Sequence, residues 1–204
     1  MLSGDTYRTI AKTSGGVLYK DKGSKFFAYA FPVTEEAAIK KHLDQLKKEH
    51  HAARHWCYAW QLGTDTIRYR ANDDGEPTHS AGQPIYGQIL SKELSNVLVV
   101  VVRYFGGTKL GVGGLINAYR TSAKQVLDAC KLLEKTVNCS IELFCEYEQV
   151  NKVMRIVKEH QLNITNQQMA NNCRFQLSVR KRDYERIANL FSGLRGIRFS
   201  SSVE

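Results

Sequence analysis

"LVVVVRYFGGTKLGVGGL", residues 98–115, decides how the first half of this chain folds. Its opening residues are apolar at consecutive positions, which fits a central strand covered on both faces rather than one with a wet side. Five glycines then fall within nine positions: Gly106, Gly107, Gly111, Gly113 and Gly114. A helix is expected from about Gly113 to Leu133, where Leu115, Tyr119, Ser122, Val126, Cys130 and Leu133 form a stripe at three- and four-residue spacing.

A glycine-rich turn between a buried strand and a helix is a place to hold an anion. The turn is not a P-loop, because Lys109 precedes the last glycine of the run, and it is not a dinucleotide fingerprint, because position 116 is Ile. Two readings remain. In one, amides of Gly106, Gly107 and Gly111 and the positive end of the following helix receive an anion beside Arg103 and Lys109. In the other, the glycines serve a tight turn and close helix packing, and Arg103 is a partly buried charge paired with Asp73, Asp74 or Glu76.

Upstream, "GSKFFAYAFPV" has the aromatic content of a strand, and Thr34 is expected to cap a helix over "TEEAAIKKHLDQLKKEH". "HWCYAW" and "TIRYR" read as a hairpin, with Trp56, Tyr58 and Trp60 on one face. "ANDDGEPTHSAGQP" is a long polar loop leading to a short helix near Pro84, and its three carboxylates read as a salt-bridged turn rather than a spaced calcium series. His51 and His55 have the i, i+4 spacing of helical zinc ligands but no Glu at 52, so no metal is expected there. Arg54 and His55 are candidate extensions of an anion surface, as is Arg120.

From Thr136 onward the order is strand, helix over "EQVNKVMRIVKEH", two strands meeting near Asn171 and Asn172, a helix capped by Asp183, and a last short strand. That is βαββαβ, a ferredoxin-like split arrangement. The expected fold class is therefore α+β, with one domain over 1–134 and a second over 136–204.

The chain has 204 residues, 43% of them apolar, and a formal charge of +9 spread over both halves, which favours polyanionic partners such as RNA or an acidic protein surface. No apolar run reaches the roughly 18 residues of a spanning helix, and the first residues lack a secretory layout, so a cytoplasmic protein without a membrane partner is expected. Five cysteines without a CxxC pair read as reduced thiols, with Cys139, Cys145 and Cys173 on core-facing strand positions. No nucleophile–base pair stands out, and His79 next to Ser80 does not make one. No catalytic residue, metal or cofactor is assigned.

The two glycine- and acid-bearing segments resemble the IMPACT family, whose bacterial members include the YigZ-type proteins. Asp73, Asp74, Gly75, Glu76, Pro77, Ala81, Gly82 and Pro84 fit its first motif, and the second is fitted by Arg103 through Gly107, by Lys109 through Gly111, and by Gly113, Gly114, Leu115 and Tyr119. "HWCYAW" resembles its short motif around His55, Cys57, Tyr58 and Ala59. One departure stands out: Thr78, His79 and Ser80 occupy positions where the family commonly has serine, glycine and threonine. The resemblance implies a first domain like a ribosomal-protein domain and domain IV of translational GTPases, and a second like domain V of elongation factor G. It also implies a link to translation, since eukaryotic relatives compete for a partner of a stress-activated initiation-factor kinase. The expected function is a non-enzymatic translation-linked regulator binding RNA, the ribosome or a translation-associated protein through the basic cleft between "DDGEP" and "RYFGGTKLG". The alternative is a metal-dependent enzyme on a small phosphorylated or nucleotide substrate, using Asp73, Asp74 or Glu76.

Overall fold

The strand read as central is central. β6 (Val97–Tyr104) has seven of its eight residues buried and lies third in a five-stranded sheet, in a computed structural model that describes residues 5–170 and 172–202. Upstream of it run β1 (Thr6–Ile10), β2 (Ser14–Asp21), β3 (Ser24–Pro32), α1 (Glu36–Glu49), β4 (His55–Leu62), β5 (Arg68–Asn72) and α2 (Gly82–Ser91), and after it come α3 (Gly111–Asp128) and β7 (Leu132–Thr136). The sheet order is β2-β3-β6-β4-β5, antiparallel at every pairing.

Alternation along β6 explains why both its faces are apolar. Val97, Val99 and Val101 join the core under α2 and α3, with Ile85, Ile89, Leu115 and Tyr119. Leu98, Val100 and Val102 join the core under α1, with Ile39, Leu46 and Trp60. Each such Val or Leu side chain, fully withdrawn from water, contributes roughly 1.5–3 kcal/mol. Arg103 falls in the first series and therefore faces inward.

The chain divides into two compact units, residues 7–135 and residues 136–202 with Asp5 and Thr6. The second contains β8 (Asn138–Glu146), α4 (Val150–Glu159), β9 (Asn163–Gln168), β10 (Asn172–Arg180), α5 (Tyr184–Ser192) and β11 (Ile197–Ser202), ordered β11-β8-β10-β9 and wholly antiparallel. Ile141, Leu143, Val153, Phe175, Leu177 and Phe191 fill its core. Asp5 belongs with this unit because its carbonyl accepts the Val137 amide and its carboxylate accepts Arg180 Nε. All five cysteines are free thiols.

Several element ends differ from expectation. α1 starts at Glu36 with Glu35 at its cap position and no side-chain cap, so Thr34 stays outside it. α3 ends at Asp128, and Leu132 and Leu133, expected at its end, open β7, which pairs with β1. β1 and β2 carry Gly15 and Gly16 and little apolar alternation, and the sequence reading had no strand there. Asp183 stands at the cap position of α5 in a helical conformation, its carboxylate bonded to Arg186 and not to a backbone amide. Asn171, expected at the β9–β10 turn, lies outside the described residues.

Candidate functional site

The loop after β5 uses its carboxylates to build structure. Asp73 Oδ1 accepts the amides of Ala81 (3.0 Å) and Gly82 (2.8 Å), and its Oδ2 accepts the amide of His79 (2.9 Å). α2 has no side-chain cap from its own cap residue, so Asp73 supplies that function from eight residues upstream. Asp74 Oδ2 accepts the Trp56 amide at 2.7 Å, and the Asp74 carbonyl accepts His55 Nδ1–H at 2.9 Å, fixing the start of β4. Asp74 (φ 43°) and Gly75 (φ 85°) form the turn between them.

Glu76 reaches Arg103 near the end of the central strand. Arg103 Nη1 donates to Glu76 Oε1 at 2.6 Å, with the two side chains 7% and 4% exposed. Tyr119 Oη donates to the same Glu76 oxygen at 2.7 Å, and the Cys57 sulfur lies 3.3 Å from Tyr119 Oη. Burial pushes the Cys57 thiol and the Tyr119 phenol well above their ordinary values, so both stay neutral. Arg103 Nη2 approaches Ser24 Oγ at 3.5 Å, while its Nε is buried without a hydrogen-bond partner. Of the two readings of Arg103, the paired charge is the observed arrangement, with Glu76 as partner. The expectation that Arg103 meets an external anion is corrected accordingly: its inward register on β6 puts it against Glu76.

Beyond Arg103 the chain surfaces. Phe105 is 50% exposed, with the Arg103 guanidinium 5.6 Å from its ring centroid on the protein side. Gly106, Gly107, Thr108 and Lys109 follow, all exposed, and α3 begins at Gly111 with neither a side-chain cap nor an acidic residue in its first turn. Gly107 (φ 87°) and Gly111 (φ 73°) need the left-handed region open to glycine. Gly106 is needed for space instead: a Cβ there would lie 1.9 Å from the Gly23 carbonyl carbon. Its amide already donates to Ser24 Oγ at 3.2 Å, which removes it from the expected anion donors.

The remaining expected contacts divide as follows. Lys109, Arg120 and Arg54 are exposed, on the turn, on α3 and just before β4. His55 is half-buried, opposite Arg103 in the β4–β6 register, with its ring over Gly75. Pro77 is exposed. Phe105 and Ser24 are the residues the sequence reading left unassigned. The signals for Phe105 were its place in the motif Arg103 through Gly107 and its position just before a glycine pair; for Ser24 there was none.

His79, the departure from the family motif, has φ 61° and its amide bonded to Asp73, so it stands where glycine is the unstrained residue. No helix among the described residues is long and apolar enough to cross a membrane.

Comparison with known proteins agrees with these motifs. Residues 22–127 match the Impact N-terminal domain, a span that holds all the site residues described above. An IMPACT family member of Haemophilus influenzae is 32% identical over 80% of this chain and 81% of its own length. The IMPACT family member YigZ of Escherichia coli is 34% identical over 67% of this chain and 68% of its own. A solved structure titled as that of a hypothetical protein superposes with a TM-score of 0.72 at 26% identity, covering 96% of each chain. With its domain model matched, most of its length shared with family members and its fold superposed, this chain belongs to the IMPACT family.

Proposed function

We propose that this chain is a non-enzymatic, cytoplasmic regulator of translation that binds single-stranded RNA, free or in the ribosome, at the turn between β6 and α3. The observation that carries the reading is the pairing of a half-exposed Phe105, backed by a buried guanidinium, with an exposed glycine turn that leads into an uncapped helix. A base stacks on the open face of Phe105. Its phosphate meets Lys109 and the free amides of Gly107 and Thr108, where the start of α3 adds a positive field. Arg54 and Arg120 extend the cationic surface, and the overall charge of +9 draws the strand in.

Arg103 acts here through Phe105, and Glu76 holds Arg103 in place. The enzyme alternative needs carboxylates that are free to take a divalent ion. In this loop Asp73 and Asp74 are bonded to amides, and Glu76 to a guanidinium and a phenol.

The test is binding of a fluorescent single-stranded RNA oligonucleotide over a range of salt. Each phosphate contact contributes a slope of roughly 0.7 in log affinity against log salt. Lys109→Ala is expected to weaken binding and lower the slope by about one contact, and Phe105→Ala to weaken binding by about 1–3 kcal/mol with the slope unchanged. A flat salt response, or unchanged affinity in both variants, would refute the assignment.

A further inference from the structure

On the opposite face of the same sheet, α1 shares a core with β3, β4 and β6, while no residue of β5 belongs to it. A trough of about 580 Å³ is left between the helix and strands β4 and β5. Its floor is the alternating trio Trp56, Tyr58 and Trp60, and its walls carry Lys40 and Lys47 from α1 and Arg70 from β5. β5 is the last strand of the sheet, so one side of its backbone pairs with β4 and the other pairs with no strand among the described residues.

The charges around the trough are unequal once their partners are counted. Glu36 is held by Arg68 at 2.9 Å, and the Asp74 carboxylate accepts the Trp56 amide. Among the described residues Lys40, Lys47 and Arg70 have no ion pair, and of the lining acids Asp44 and Asp74 have none either, so three cations face two such carboxylates. Lys47 lies 5.9 Å from the Trp56 ring centroid, while the Trp56 indole N–H is buried with no acceptor. The trough thus offers a small excess of cations, a partly apolar floor and a strand whose outer side pairs with no other strand among the described residues.

We propose that this trough binds an extended acidic peptide segment of a partner protein, added as a strand along β5. Strand addition uses the open backbone edge for main-chain hydrogen bonds, and alternate side chains then drop into the trough. Apolar side chains meet the aromatic floor, and carboxylates meet Lys40, Lys47 and Arg70. RNA fits less well than peptide. Trp60 is only 7% exposed, Trp56 is already faced by Lys47, and Asp44 stands at the rim, so neither ring offers the open face that base stacking requires. The surface is separate from the Phe105 turn, so either assignment can fail without the other.

Trp56 and Trp60 are the two tryptophans of the chain and both line this trough, so tryptophan-selective fluorescence reports on it. The probe is a capped peptide of alternating glutamate and leucine, compared with its lysine–leucine counterpart, with a version N-methylated at alternate amides, and with a single-stranded RNA oligonucleotide. The expected result is a saturable tryptophan shift with the acidic peptide, lost on N-methylation and weakened at least tenfold by Arg70→Glu or by Lys40→Glu, each folded by circular dichroism. Phe105→Ala is expected to leave it unchanged. An equal response to the lysine–leucine peptide, a tryptophan response to RNA instead, indifference to both charge reversals, or no response to the acidic peptide would overturn the proposal.

Discussion

Arg103 and Glu76 come from elements 27 residues apart and meet at 2.6 Å with both side chains more than nine-tenths buried. Each keeps the other's charge tolerable in that setting, and Glu76 also holds the Tyr119 hydroxyl. Removing one partner strands the other, at about 3–5 kcal/mol, whereas replacing both by apolar side chains of similar volume is far milder. Glu76→Gln is therefore expected to lower stability by about 3–5 kcal/mol in urea denaturation, and Glu76→Leu with Arg103→Met together by clearly less. If the double variant were the less stable of the two, the pair would be contributing net stability.

His79 carries a left-handed backbone that glycine adopts freely, while its side chain is exposed. A non-glycine residue in that region is destabilised by roughly 1–2 kcal/mol, part of which glycine gives back as unfolded-chain entropy. His79→Gly is expected to raise stability by up to about 1 kcal/mol, read as a higher denaturation midpoint with an unchanged slope.

Two glycines near α3 should respond oppositely to alanine. Gly106→Ala drives a methyl into the Gly23–Ser24 backbone and is expected to destabilise by about 1–3 kcal/mol or more. Gly113 has no left-handed φ and open space around the added Cβ, so Gly113→Ala should stabilise by about 0.4–1 kcal/mol. Thermal melts of the two variants side by side check both signs.

His50 closes the end of α1 between two phenols, with Nε2 2.6 Å from Tyr29 Oη and Nδ1 3.0 Å from Tyr104 Oη. Burial lowers its pKa, Glu49 partly opposing, and burial with Lys41 lowers that of His42. Both rings are thus harder to protonate folded than unfolded, so below about 6.5 the unfolded chain takes up more protons and stability falls with pH. Urea midpoints should drop between pH 7.5 and 5.5, and His50→Gln should flatten that drop.

Where residue pattern maps directly onto burial, the fold was readable in advance. β6 announced its central place by an unbroken apolar run, and the β4–β5 hairpin and the βαββαβ order of the second unit followed from alternation and turn residues. β1 and β2 were hidden because edge strands bury little and need no strong pattern. The α3 boundary failed because Leu133 continues the helical stripe of Val126 and Cys130, and only the pairing of β7 with β1 makes it part of a strand. The site was half legible. An arginine near three carboxylates could be read as a pair, but choosing Glu76 over Asp73 and Asp74 needed the loop's path in space, since the two aspartates are taken by amides.

The second unit holds Asp5 through Val137 and Arg180, partners that follow it by more than a hundred residues. During synthesis Asp5 therefore leaves the ribosome long before anything can receive it. Folding of residues 7–135, which brings β1 beside β7, delivers the early residue to the late ones and spares most of the entropy of closing so long a loop. Asp5 can therefore take its place in the second unit only once the residues up to Arg180 have been made.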